Sequence, residues 1–412
     1  MLAAAGAAVG GAALRPVFTQ PQGVDVSHVM TGLDLLVEQH FHPLVGRRVG
    51  LVTNHAGVTR YLRDNVSLLA AASGVTLTSL FAPEHGLLGV EQAGARVGDA
   101  TERRTGVPVH SLYGENRSPD REQLADIDIL VFDMQTVGAR YYTYLSTLRL
   151  ILHAAAETDV PVLVLDRPNP LGGLLTEGFP AFDEECRSFV SCAPTPIRHG
   201  LTVGEFARWV VANEQLDVAL EVAPMRGWRR DMSYEETGLP WVAPSPNMPT
   251  TATAAAYPAT CLLEGTNCSE GRGTTLPFEV FGAPWVDAYA LAERLNARRL
   301  PGVKFRATSF TPTFSKHEGS PCEGAQLHIT DAAAFAAVRC GVEILRALLD
   351  ICPEFEFLGS SDRRMTDLLL GTRAVRQALQ DGAAPHEICA DWAEREDAFA
   401  RAAREHWLYP HG

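Results

Sequence analysis

Val75-Thr76-Leu77-Thr78-Ser79-Leu80-Phe81, running into Ala82-Pro83-Glu84-His85-Gly86, is the stretch whose reading decides the fold. Its β-branched and apolar residues read as a strand entering a buried sheet, and the Pro and Gly that follow read as a turn. A carboxylate and an imidazole therefore stand side by side at a strand exit. Apolar strands of the same kind recur at residues 48–54, 127–133 and 160–166, with a shorter candidate at 109–113. Helical patterns lie between them at 61–72 and 141–157, and another at 33–38 carries Thr31 as its N-cap. Continuous apolar strands separated by helices predict a parallel sheet covered on both faces, a Rossmann-like, doubly wound α/β domain. Its strand ends bring Asn54, Glu84, Asp133 and Asp166 to one rim, where such sheets bind ligands.

At 412 residues the chain exceeds a typical single core, and two domains are expected. Residues 168–200 are rich in Pro and Gly, and the capping box Thr202 with Glu205 then opens a helix over 203–213. Residues 240–284 are again dense in Pro and Gly and read as a long functional loop system. Beyond them, helical patterns at 287–297, 332–349, 366–380 and 391–405 with a strand at 324–330 predict a smaller α+β domain. The expected division is a tail at 1–27, a Rossmann-like catalytic domain at 28–240, and a C-terminal domain at 241–412 that completes a cleft.

A formal net charge of −14 argues against nucleic acid as a partner, because phosphate binding needs a basic excess. No run in the body of the chain reaches the roughly 20 apolar residues that span a bilayer. The Ala/Gly-rich residues 2–14 read either as the apolar part of a secretory signal without its basic start or as a plain tail. The first reading places the protein in a secreted or periplasmic compartment; the second leaves the cytoplasm open. Among eight cysteines, the pairs Cys186 with Cys192 and Cys261 with Cys268 are spaced to permit local disulfides and match no zinc pattern.

The turn after the first strand, Thr53-Asn54-His55-Ala56-Gly57-Val58, has no dinucleotide fingerprint, and no phosphate loop, HExxH or GxSxG motif occurs. A metal site dispersed over His85, Asp133 and Asp166 is the weaker alternative. Glycosidic cleavage commonly needs two carboxyl groups, one of which protonates the leaving oxygen. Glu84 is the candidate acid, against the plainer reading that it caps a helix or pairs with an arginine. His85 either binds substrate or is held by backbone. Asp166-Arg167-Pro168-Asn169 is a rigid polar cluster suited to sugar hydroxyls, or else a salt-bridged strand end. Arg140 with Tyr141, Tyr142 and Tyr144 offers a cation and aromatic faces to a carboxylated sugar, unless the tyrosines are core. Residues 264–273 gather Glu264, Asn267, Glu270 and Arg272.

The runs Phe81-Ala82-Pro83-Glu84-His85-Gly86, Phe132-Asp133-Met134-Gln135, Val137-Gly138-Ala139-Arg140-Tyr141-Tyr142-Thr143-Tyr144 and Leu165-Asp166-Arg167-Pro168-Asn169-Pro170 carry a family resemblance. Arg198-His199-Gly200, Pro244-Ser245-Pro246-Asn247-Met248-Pro249, Glu264-Gly265-Thr266-Asn267, Ser269-Glu270-Gly271-Arg272-Gly273-Thr274-Thr275 and Phe310-Thr311-Pro312-Thr313-Phe314-Ser315-Lys316-His317 extend it. Together they resemble the exo-β-N-acetylmuramidases of the NamZ type, glycoside hydrolase family 171, formerly a domain of unknown function. The resemblance implies release of terminal N-acetylmuramic acid from peptidoglycan-derived muropeptides or the MurNAc–GlcNAc disaccharide, with no cofactor. It implies Glu84 as acid with Glu264, Glu270 and Asp133 as possible partners. It also implies substrate contacts from His85, Asn54, Arg140, Tyr142, Asp166, Arg167, Asn169, His199, Asn247, Asn267, Arg272, Lys316 and His317. The lactyl carboxylate of muramic acid calls for a cation, and Arg140, Arg167, Arg272 and Lys316 are the candidates. One departure is Thr136, where the family pattern leads one to expect an acid. The alternatives are a non-catalytic peptidoglycan- or sugar-binding protein and a metal-dependent hydrolase.

Overall fold

The computed structural model describes residues 28–179, 183–360 and 363–411, so residues 2–14 and their alternative readings lie outside it. Its larger sheet contains β1 (Arg48–Thr53), β2 (Thr76–Ala82), β3 (Ala100–Thr101), β4 (Pro108–Ser111), β5 (Ile129–Asp133), β6 (Val162–Leu165) and β7 (Leu220–Ala223). The strand order is β3-β4-β2-β1-β5-β6-β7. Every pairing is parallel except that of β3 with β4. From β1 the chain moves outward through β2 to β4, then returns to β5 on the other side of β1 and continues to β7. This is the expected doubly wound α/β layout, with its switch point between β1 and β5.

Alternate side chains of these strands feed two apolar layers, as the period of a strand requires. Val52, Phe81, Phe132 and Val164 point into one core, and Leu51, Leu80, Val131 and Leu165 into the other. The helix Tyr144–Thr158 covers the first face with Leu145, Leu148, Ile151 and Leu152. Leu33, Leu36 and Leu69 cover the second.

A smaller antiparallel sheet, in the order β8-β10-β9, is made from β8 (Val280–Ala283), β9 (Val303–Phe310) and β10 (Cys322–Ile329). The helices Ala288–Ala297 and Ala337–Ile351 accompany it. Phe281, Phe305 and Leu345 belong to the same buried cluster as Phe132 and Tyr141. The two sheets therefore share one continuous apolar core, which fixes the walls of the cleft against each other.

The structure revises several expectations. The helix expected over 61–72 shortens to Asn65–Ala70, capped by Asp64. That expected over 366–380 is broken at Gly371 (φ 74°) into Met365–Leu370 and Ala374–Gln380. All eight cysteines are buried free thiols, so the local disulfides that the spacing permits are not formed. Among the described residues no helix is long and apolar enough to cross a membrane.

Candidate active site

The turn after β2 is tight because His85 and Gly86 both adopt left-handed backbone (φ 73° and 76°). This geometry presents Glu84 and His85 to a cavity of about 430 Å³, within the range of small-molecule sites. Glu84 is only 7% exposed, yet both carboxyl oxygens are satisfied. Oε1 accepts from the Gly94 N–H (2.9 Å) and Oε2 is 2.6 Å from the Thr143 hydroxyl. Tyr113 stands beside it, and burial followed by the Glu84 charge pushes that phenol up to about 12. His85 Nδ1 lies 2.7 Å from the Glu91 carbonyl. A carbonyl only accepts, so Nδ1 carries the proton and Nε2 of the neutral ring is an acceptor. Burial lowers His85 from its usual value and keeps that neutral form.

A second carboxylate reaches the same cavity from the other sheet's side of the molecule. Glu264 lines it and pairs with Arg272 (Nη2–Oε1 2.6 Å). Arg272 also contacts Glu270 (3.2 Å) and lies over the Phe278 ring at 4.9 Å. Lys316 closes the cluster on Glu270 at 2.8 Å. Two carboxylates and two cations thus balance. Burial works against the charge on Arg272, but Glu264 and Glu270 outweigh it and raise its value. Glu270 itself, 2% exposed, sits behind Arg272 rather than on the cavity wall. Tyr141, Tyr142, Tyr257 and Phe278 supply aromatic wall, and Asn247 adds an amide that also bonds Gln92 (3.2 Å).

The structure does not bring the remaining expected residues to this cavity. Asp133, wholly buried, pairs with Arg167 (2.6 Å) and accepts from Asn65 (2.7 Å), so both expected site residues lock the switch point between β1 and β5. Asn54 is spent on the Tyr144 hydroxyl (2.8 Å) and the Pro244 carbonyl (3.1 Å). Asp166 accepts from Thr202, the Gly204 N–H and Tyr409. Burial pushes its carboxyl up to about 7, against those hydrogen bonds. Asn169 donates to the Leu201 carbonyl (3.0 Å) and packs on Gly138 (φ 76°), where a Cβ would lie 2.2 Å from its amide oxygen. Arg140 is also fully buried, and its guanidinium donates to the carbonyls of Phe179, Thr195 and Leu369. It staples the cavity wall at Leu369 instead of facing a ligand.

His199 is 1% exposed with Nδ1 accepting from the Leu201 N–H (3.1 Å), and burial pushes it down to about 3. Asn267 bridges the backbone of Glu354 and Glu356, and His317 Nε2 meets the Asn267 carbonyl at 2.7 Å. Lys316 donates to the carbonyls of Leu263 (2.7 Å) and Thr266 (3.0 Å) as well as meeting Glu270. Thr136 is buried at 3% exposure and does not line the cavity. Because Asp133 and Asp166 have these separate partners, neither joins His85, and no metal-sized cluster of ligating side chains forms among the described residues.

Sequence reading missed Tyr113, Arg117, Thr143, Phe189, Tyr257, Phe278 and Met365, all on the cavity wall. Thr143 alone had a signal, its place inside the tyrosine-rich run; the others come from separate loops and from the helices Thr251–Thr260 and Met365–Leu370, with no shared motif.

Comparison with known proteins now bears on this geometry. Residues 49–252 match the model described as exo-β-N-acetylmuramidase NamZ, N-terminal, and residues 255–409 match its C-terminal counterpart. The peptidoglycan β-N-acetylmuramidase NamZ of Bacillus subtilis (strain 168) is 45% identical over 382 residues, covering 92% of this chain and 91% of that protein. A DUF1343 family protein of Bacteroides fragilis NCTC 9343 superposes with a TM-score of 0.84 at 36% identity, covering 93% of this chain and 99% of its own. A second DUF1343 family protein of that organism gives 0.75 at 28% identity, covering 94% and 100%. The chain belongs to the NamZ exo-β-N-acetylmuramidase family.

Proposed function

We propose that this protein is a glycoside hydrolase that releases terminal N-acetylmuramic acid from the non-reducing ends of peptidoglycan fragments, with Glu84 as the general acid. The observation that carries the reading is that Glu84, from the turn after β2, and Glu264, from the short helix Cys261–Gly265, line one aromatic-walled cavity. Glycosidic cleavage asks for that pairing: a proton for the leaving oxygen and negative charge near a developing oxocarbenium centre.

The hydrogen bonds support one placement of the proton. The Gly94 N–H can only donate, so it fixes Oε1 of Glu84 as an acceptor. A proton on the acid therefore sits on Oε2, where the Thr143 hydroxyl can accept it or, after transfer, donate back. Thr143 thus serves both protonation states. Glu264 is the second carboxylate, acting as nucleophile, as base toward water, or beside an attacking acetamido group of the substrate. Tyr142 and Tyr257 offer apolar faces to a sugar ring, and Nε2 of His85 accepts from a hydroxyl. Arg272 and Lys316 hold Glu270 and Glu264 in place without meeting an unpaired charge.

A chromogenic β-N-acetylmuramide tests the activity. Release of chromophore between pH 5 and 8 is expected; bound sugar with no release would favour a non-catalytic sugar-binding protein. Rates unchanged by EDTA would remove a metal-dependent hydrolase. A peptidoglycan substrate also favours a secreted or periplasmic location over the cytoplasm, which fractionation of the producing cells would decide.

A further inference from the structure

The arginines and lysine expected to receive the substrate's carboxylate are all committed elsewhere. Arg140 is spent on three carbonyls, Arg167 on Asp133, Lys316 on Glu270, and Arg272 on two carboxylates. An anionic sugar entering a protein of net charge −14, beside Glu84 and Glu264, still needs a cation. The cavity wall holds another, Arg117, from the loop after β4.

Its guanidinium lies 4.2 Å from the centre of the Phe189 ring and 5.2 Å from that of Tyr113. Phe189 and Tyr113 themselves pack at 5.8 Å, so the cation rests on an aromatic platform shared with the neighbour of Glu84. Among the described residues no carboxylate pairs with Arg117. A guanidinium resting against aromatic rings keeps N–H donors that can grip a carboxylate through two parallel bonds. Arg363, the third arginine on the wall, has no such platform among the described residues.

We infer that Arg117 is the residue that recognises the substrate's carboxylate, the 3-O-lactyl group that separates a muramic acid from a glucosamine. The inference rests on the muramidase reading and adds the determinant of its specificity. The platform holds the side chain in position before substrate arrives, so discrimination costs little ordering of a long, flexible group.

The test compares wild type with Arg117→Met and Arg117→Lys on 4-nitrophenyl β-N-acetylmuramide and its glucosaminide counterpart. Arg117→Met should raise KM for the muramide at least about tenfold with a much smaller change in kcat, the mark of lost ground-state binding. Its preference for muramide over glucosaminide should fall by a similar factor, and Arg117→Lys should recover part of both. Calorimetry with free N-acetylmuramic acid and N-acetylglucosamine should show the same loss for the acid alone. An Arg117→Met protein with wild-type KM and wild-type affinity for N-acetylmuramic acid would overturn the inference. Wild-type protein that binds N-acetylmuramic acid through Arg117 yet cleaves neither substrate would instead overturn the hydrolase reading, leaving the anion site standing.

Discussion

Two acidic groups stand at the carboxyl ends of the two parallel strands that flank β1, Glu84 just past β2 and Asp133 at the end of β5. Asp133 occupies the sheet's switch point, the position where ligands of such folds usually bind. Yet it is sealed there by Arg167 and Asn65 at 0% exposure, whereas Glu84, two strands over, opens onto a cavity. Their partners make the difference. Asp133 gives one oxygen to a full guanidinium and the other to the Asn65 amide, wholly buried, which stabilises its charge and leaves nothing for a ligand. Glu84 meets a backbone N–H and a hydroxyl, which orient a carboxyl group without neutralising it. A strand-end acid is therefore a site residue only where its partners hold it and do not cancel it.

Mutations can break this comparison, and the largest effect is expected at the open acid. Glu84→Gln should lower kcat on a MurNAc–GlcNAc substrate by about 10²- to 10⁴-fold, the usual worth of general acid catalysis, with the thermal midpoint almost unmoved. Asp133→Asn should do the reverse. It strands the buried Arg167 charge and should cost about 3–5 kcal/mol in urea unfolding, while the protein that remains folded keeps its KM. Equal loss of stability in both variants would erase the distinction.

The sealed region should also show itself in pH. His199 is held down to about 3, so between its unfolded value near 6.5 and that point the unfolded chain takes a proton that the native chain refuses. Its contribution is full above the unfolded value and is lost as pH falls, at up to about 1.4 kcal/mol per pH unit. The urea midpoint of wild type should therefore decline more steeply from pH 6 to 4 than that of His199→Gln; parallel curves would remove this account. The smallest effect is expected at Thr143→Val, which removes the hydroxyl on Oε2 and should lower kcat about fivefold to tenfold, in keeping with one hydrogen bond of about 1 kcal/mol.

The doubly wound sheet was legible because β1, β5 and β6 are buried on both faces almost throughout and so read as apolar runs, and β2, mixed at its start, is buried from Ser79 to Ala82. β7 and β9 escaped notice because their exposure is mixed along the strand, which leaves no continuous run to see. In the site, Glu84, His85, Asn247, Glu264 and Arg272 were marked by the compact motifs around them, and the cavity gathers them. Compact polar motifs also flagged Arg140, Asp166 and Asn169, whose side chains bond backbone and neighbouring loops. Sequence spacing shows which residues sit at a strand end; it does not show which way each side chain turns. Arg117 was invisible for the opposite reason: it lies in a loop of ordinary composition, and the rings that give it a place are Tyr113 and Phe189, the second distant in sequence.

The most direct test of Glu84 as acid varies the leaving group. A 2,4-dinitrophenolate departs without a proton, whereas the sugar hydroxyl of a MurNAc–GlcNAc bond needs one. The account predicts that Glu84→Gln loses about 10²- to 10⁴-fold in kcat/KM on the disaccharide and stays within about tenfold of wild type on 2,4-dinitrophenyl β-N-acetylmuramide. An equal loss on both substrates would contradict it, showing that Glu84 serves the ring carbon and not the leaving oxygen.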